Sequence, residues 1–474
     1  MDVIDLAQKF IRFRTETGNH GEIMKCLQFV KSLPELHDAK IDIFEKDNLA
    51  PVIFIRNTES EAFDVLVLGH LDVVPAAEEM FTPVVKDGRM YGRGTLDMKS
   101  FAAVALNSMA YVLKRKLPLN FGVILSTDEE KGSKGTEAFL AAHPKISAEI
   151  VLDNDVGGDI QKIVSKCKNP VFVKIIAEGQ EAHGSTPWEG IDANEIMLQT
   201  LANIRKYYPY YAQNGVNPEN KWVDTVHFAK ICGGDISNII SRYCEALCDF
   251  RLVETSTTAD LRKNLDKCMV AGVRYVIVSE STPVVMSEDN PHILEYKKFA
   301  EDILGRPIEF EHIGGATDSR EFAVKGSTVI MHSGTGEGMH ADGEYVEIDS
   351  VKQIADIQIK FLEKLAGERD VSAVICDPSA ASFKETIRRH GKFSVKNAKN
   401  DVLDGIRDTG TMLQAGLLHF NKTCINTKAE FGAYAWDEKS SSDAVIKEND
   451  HSMDQMRYFV RTIMKREVRA YGIK

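Results

Sequence analysis

The sequence predicts an α/β protein in which a mostly parallel sheet is interrupted by a smaller two-layer α+β module and followed by a distinct carboxyl-terminal segment. Three observations carry that expectation. Apolar runs of strand length alternate with helical patterns up to about residue 160, the runs then lengthen and alternate in polarity, and the first texture returns after about residue 290. Buried strands alternating with helices suit a parallel sheet covered on both faces, because each crossover lays a helix over the sheet.

Apolar residues at helical spacing cover 1–13 and 23–33. Residues 50–55 and 65–68 then read as buried strands, 100–106 as a helix, 121–126 as a strand, 136–142 as a helix and 150–152 as a short strand. In the middle region the strands are 171–176, 223–228, 241–251 and 271–278, with only two helices, 194–207 and 257–265. Helix 292–303, strand 327–332 and helix 351–365 restore the αβ pattern, and a polar stretch at 366–370 ends it. The expected divisions are 1–165 and 284–368 for the interrupted domain, 166–283 for the inserted module and 371–474 for the last segment.

Composition narrows the function. The 474 residues carry 58 Lys+Arg against 70 Asp+Glu, a net charge of −12, which argues against an extended basic surface for nucleic acid. A 43% hydrophobic content can fill two or three cores and argues against disorder as the main state. The eight cysteines are scattered, which speaks against a disulfide scaffold, and the one close pair, Cys244 and Cys248, reads as ordinary strand residues. There is no uninterrupted apolar core near Met1 and no apolar run long enough to span a membrane, so a cytoplasmic location is expected.

Candidate chemistry gathers where strands end. His70 and Asp72 lie two positions apart in extended backbone, on one side, so that Asp72 could orient the imidazole; a loop histidine beside an acid is the plainer alternative. Asp97 sits in the glycine-rich GRGTLDMK turn before a helix, where an acid is also a common cap. Its spacing fits neither the dinucleotide fingerprint nor a phosphate loop. Asp128, Glu129 and Glu130 follow the 121–126 strand, and three adjacent acids repel one another unless protons, water or cations intervene. Asp153 and Asp155 follow the 150–152 strand, and His340 lies in the loop GMHADGE. His70, Asp97, Glu130 and Asp155 are each placed where open αβ sheets collect functional side chains, and imidazole with carboxylates is a ligand set for zinc or a similar borderline ion, with His340 a second histidine source.

Taken together, GHLDVVP, GRGTLDMK, STDEEKGS, AEGQEAHGSTP and GTGEGMHADGE resemble the motifs of the zinc aminoacylase, carboxypeptidase and dipeptidase family that includes acetylornithine deacetylase and succinyl-diaminopimelate desuccinylase. The resemblance covers residues 1–368. It implies a metallopeptidase-type catalytic domain with a lid and dimerisation domain inserted. It further implies two divalent ions, zinc first with cobalt or manganese as alternatives. His70 and Asp155 would bind one ion, Glu130 and His340 the other, and Asp97 would bridge them, with Asp153 the alternative to Asp155. Glu129 would be the general base. By the same resemblance, His183 in the lid reaches a neighbouring subunit's site to stabilise the oxyanion, assisted by Asn238. Arg320 anchors a substrate carboxylate, unless it is a structural partner of Asp318. The expected substrate is a dipeptide or N-acyl amino acid, and the expected assembly a homodimer through the lid, without a membrane or nucleic-acid partner.

Residues 371–465, through DPSAASF, NDVLDGIR, EFGAYAWDEK and NDHSMDQMRY, resemble the nuclease domain of the large terminase subunit of tailed phages. That implies a partial ribonuclease H-like segment in which Asp377 and Asp454 match two metal-binding acids, with His451 nearby. The strands and leading acid that precede DPS in that family are replaced here by peptidase-like sequence. An incomplete carboxylate clamp should leave the segment weak or inert as a nuclease unless another chain completes it, and the chain reads as an unusual fusion or as the product of recombination or gene joining.

Overall fold

Val65, Leu66, Val67 and Leu68 are buried on both faces of their strand, which requires helices above and below. The computed structural model describes residues 1–210, 221–367, 374–390, 394–418, 425–435 and 451–464. It divides into two compact units, Met1–Gly367 and Glu368–Lys474.

In the first unit a nine-stranded sheet runs in the order Lys40–Phe44, Val52–Arg56, Phe121–Ser126, Ala62–His70, Ser147–Asp153, Thr328–His332, Lys162–Cys167 and Val284–Val285, with Glu309–Ile313 also pairing to Lys162–Cys167. The sheet is mixed, not mostly parallel. The four strands from Phe121–Ser126 to Thr328–His332 are parallel neighbours, while the flanking pairs are antiparallel except for Glu309–Ile313. Apolar burial marks a strand but not its direction. Lys40–Phe44 and Val52–Arg56 are joined too tightly for a crossover helix, so they can only fold back on each other. Helices Val3–Ile11, Lys99–Arg115 and Ile348–Gly367 cover one face, where Phe10, Phe101 and Phe361 enter a continuous core.

The inserted module is a four-stranded antiparallel sheet, Thr225–Gly233, Tyr243–Leu252, Asn169–Glu178 and Val273–Glu280 in spatial order. Helices Ala193–Tyr207 and Thr258–Cys268 pack on one face through Met197, Leu201, Leu261 and Leu265. Cys244 and Cys248 point into this core, as strand alternation requires.

A small sheet escapes the sequence patterns. Gly336–Glu337, Tyr345–Glu347, Arg89–Tyr91 and Val84–Lys86 pair in that order, and strands this short carry no readable periodicity. It sets the turn after Tyr91 beside the hairpin that holds His340.

The second unit contains, among its described residues, one parallel pair, Val374–Cys376 with Val395–Asn397, and helices Ala381–His390, Val402–Gln414, Ile425–Ala433 and His451–Thr462. The multi-stranded ribonuclease H-like sheet expected for this segment is not seen among those residues. Residues 368–373 and the EFGAYAWDEK stretch beyond residue 435 lie outside the description. Asp377 accepts a hydrogen bond from the Tyr458 hydroxyl at 2.5 Å, and Asp454 accepts one from Arg457 at 2.5 Å. Among the described residues no helix is long and apolar enough to cross a membrane.

Candidate metal centre

Parallel pairing brings three of the predicted groups to one sheet edge. His70 ends its strand opposite Ser126, and Leu68 of that strand is opposite Asp153, so His70, the 127–130 turn and the 153–155 turn emerge side by side. Asp97 comes from the turn after the small sheet, just before helix Lys99–Arg115, and its peptide bond to Met98 is cis. His340 stands near the tip of the hairpin between Gly336–Glu337 and Tyr345–Glu347, in left-handed backbone at φ 62°.

These side chains form two triads that share Asp97. His70 Nε2 lies 3.0 Å from Asp97 Oδ1 and 3.7 Å from Asp155 Oδ1. His340 Nε2 lies 3.0 Å from both Asp97 Oδ2 and Glu130 Oε2. Within His70–Asp97–Asp155, and within Asp97–Glu130–His340, the possible ligand atoms all fall within 4.8 Å of one another. The donor chemistry fits a pair of cations. The His70 Nδ1–H donates to the Asp72 carbonyl at 3.0 Å, which leaves Nε2 as the ligand atom, the usual way a metal-binding imidazole is fixed.

The electrostatics report the same demand for positive charge. Burial works to lower the His70 imidazole, but Asp155, Asp72 and Asp97 outweigh it and hold it well above its usual range. Hydrogen bonds to Asp97 and Glu130 push His340 up to about 10. Burial opposes ionisation of Asp97, yet the two imidazoles keep its carboxyl below the usual range. Asp155, desolvated by burial and only partly relieved by His70, rises to about 7. Glu129 is raised well above a normal carboxyl, first by burial and then by the charge of Asp155.

Neighbouring acids divide the remaining work. Asp72 accepts from the N–H groups of Glu129 at 3.2 Å and Glu130 at 3.3 Å and from the Thr17 hydroxyl at 2.7 Å. It therefore braces the turn carrying both glutamates, with Oδ1 also 3.4 Å from His70 Nδ1. Asp153 accepts the Asp155 N–H at 2.9 Å and the Thr317 hydroxyl, so it shapes the turn while Asp155 joins the triad. Asp128 turns away to accept the Gly135 N–H at 2.8 Å.

A cleft of about 840 Å³ is lined by Asp97, Glu129, Glu130, Asp155, His340 and Arg320, and across from them by Phe172, Leu247 and Arg251 of the inserted module. Arg320 Nη1 donates to the Thr317 carbonyl at 3.0 Å and lies 3.4 Å from Asp318, so the structural pair and the cleft position coexist. His183 and Asn238 lie elsewhere. The Gly184 N–H donates to the Asn238 carbonyl at 2.7 Å and His183 Nδ1 meets the Ser185 hydroxyl at 2.7 Å, both on an exposed part of the module outside the cleft lining. Two groups that sequence reasoning passed over stand at the site. Arg251 had no signal beyond a strand position, and Glu344 lay inside a recognised motif without an evident task.

A mixed αβ sheet that gathers two imidazoles and three carboxylates into a shared-ligand pair defines a dinuclear metal-dependent hydrolase, with a site consistent with amide or peptide cleavage. The chain belongs to peptidase family M20/M25/M40, whose model matches residues 66–364. Acetylornithine deacetylase from Shigella sonnei is 26% identical over 316 residues, covering 63% of this chain and 79% of that protein. In fold, the chain is similar to an M20 family metallo-carboxypeptidase from Sulfolobus solfataricus (TM-score 0.64, 18% identity, 77% of this chain and 100% of that one). It is also similar to human carnosine dipeptidase 1 (TM-score 0.61, 14% identity, 77% and 96%). The family match ends at residue 364, so the terminase resemblance of residues 371–465 draws no support from it.

Proposed function

We propose that this hydrolase cleaves the amide bond of a small carboxylate-bearing substrate, a dipeptide or an N-acyl amino acid, with zinc as the preferred ion. The observation that carries it is the cleft at which two triads sharing Asp97 meet Glu129 and Arg320. When bound, two divalent cations supply Lewis-acid polarisation of a carbonyl and a water acidified towards neutrality. Glu129 stands beside the triads without belonging to either, as a proton carrier must. Its carboxylate takes the proton from the attacking water and delivers it to the leaving amine. Arg320 receives the substrate carboxylate on the part of its guanidinium left by Thr317 and Asp318. Asp72 holds Glu129, Glu130 and His70 in register.

His183 and Asn238 act in trans, from the lid of a second subunit in a homodimer. Exposed Leu198, Ile231, Ile236 and Ile239 on the lid, with Thr225–Gly233 at the edge of its sheet, support that assembly.

Metal analysis with a hydrolysis screen over dipeptides and N-acyl amino acids tests the proposal on wild type and Glu129→Ala. The variant should keep two ions per chain and lose about 10²–10⁴-fold in kcat, the usual worth of a positioned acid–base group. A metal-loaded wild type inert across that panel would refute the substrate assignment.

A further inference from the structure

Glu344 is a fully buried carboxylate at the junction of the two loops that carry the shared ligand and the second imidazole. Its Oε1 accepts the N–H groups of Leu96 at 2.8 Å and Asp97 at 3.2 Å. Its Oε2 accepts the Gly94 N–H at 3.1 Å and Arg93 Nη1 at 2.5 Å. Arg93 Nη2 continues the contact to the Ala341 carbonyl at 3.4 Å, next to His340. The main chain closes the circuit, since the Gly92 N–H donates to the Glu344 carbonyl at 3.1 Å. Gly94 suits this position because its backbone is left-handed at φ 84° and a Cβ there would lie 2.8 Å from the Lys99 side chain.

A charge buried this deeply is tolerated only when fully paired, and here every donor but the guanidinium is a backbone N–H of the Asp97 turn. We propose that Glu344 is a positioning residue for the two-cation centre, fixing the His340 hairpin against the Asp97 turn so that both oxygens of Asp97 face their imidazoles at equal distance. The role rests on the two-cation reading of the triads. It falls chiefly on the Asp97–Glu130–His340 ion, because His340 is half exposed while His70 is buried and separately held by Asp72.

Replacing Glu344 by Gln keeps the shape but sets an NH₂ against two donors, whichever way the amide is turned. Cobalt(II) is titrated into chelator-treated full-length wild type, Glu344→Gln and Arg93→Gln, with the two binding steps read by calorimetry and visible absorption and folding read by circular dichroism. Wild type should bind two ions. Glu344→Gln should bind one with wild-type affinity and the other about 10–100-fold more weakly, the scale typical of groups that orient metal ligands. Arg93→Gln, which leaves the three backbone donors, should shift the same step less. Two wild-type affinities in folded Glu344→Gln overturn the proposal, and if that variant does not fold, unchanged affinities in folded Arg93→Gln overturn it. A wild type that takes up fewer than two ions defeats the two-cation reading itself, and the positioning role with it.

Discussion

Glu129 and Glu130 are the same side chain one position apart, yet one reaches His340 and the other faces open cleft. What separates them is the short turn pinned from beneath by Asp72, which sends consecutive carboxylates in different directions. The sequence displayed the three acids and the histidines, because a strand end followed by unpaired charge is visible in a string of letters. It could not display the distance between His340 and Asp97, which lie 243 positions apart, nor choose firmly between Asp153 and Asp155 until Thr317 was seen to occupy the former. Arg320 has an equally local test. Arg320→Ala should lower kcat/KM for carboxylate-bearing substrates by about 10–100-fold, mostly through KM, since a charge-assisted hydrogen bond contributes about 1.5–3 kcal/mol. Arg320→Lys should recover only part of that loss, because an ammonium cannot form the two-pronged contact. Equal KM values for wild type and Arg320→Ala would leave Arg320 as a partner of Asp318 alone.

At the scale of elements, long buried strands and amphipathic helices were legible, and strand direction and the two- and three-residue strands around the His340 hairpin were not. Direction depends on connection geometry, and the short strands depend on partners far away in the chain. Strand Thr328–His332 shows how tightly the central sheet constrains chemistry that takes no part in catalysis. His332 is completely buried, donates from Nε2 to the Ile160 carbonyl at 2.7 Å and accepts the Tyr296 hydroxyl on Nδ1 at 3.3 Å. Burial pushes its imidazole down to about 4, so the unfolded chain, near 6.5, binds a proton that the folded chain refuses. The stability it supports is therefore intact above pH 6.5 and lost as pH falls towards 4, by about 2 kcal/mol between pH 7 and pH 5. With metal held saturating, the urea midpoint of His332→Gln should fall less steeply over that interval than that of wild type. Identical slopes would show that His332 takes up its proton without unfolding.

At the scale of the whole molecule, the separation between the cleft and His183 becomes a statement about assembly. Both triads, Glu129 and Arg320 gather at the cleft, while His183 and Asn238 stand on an exposed part of the lid outside the cleft lining. If the oxyanion donor comes from a second subunit, each cleft combines Glu129 of one chain with a lid histidine of the other. A chain carrying Glu129→Ala and a chain carrying His183→Ala are then each inactive as homodimers. In the mixed dimer one cleft inherits both defects and the other inherits neither. Random pairing of equal amounts makes half of all dimers mixed, so co-refolding should restore about a quarter of wild-type activity, the value fixed by twofold symmetry. A donor acting within its own chain would give no rescue at any ratio, since every cleft would then keep one defect. The measurement is the activity of the mixture before and after subunit exchange, with gel filtration confirming that dimers are present in both.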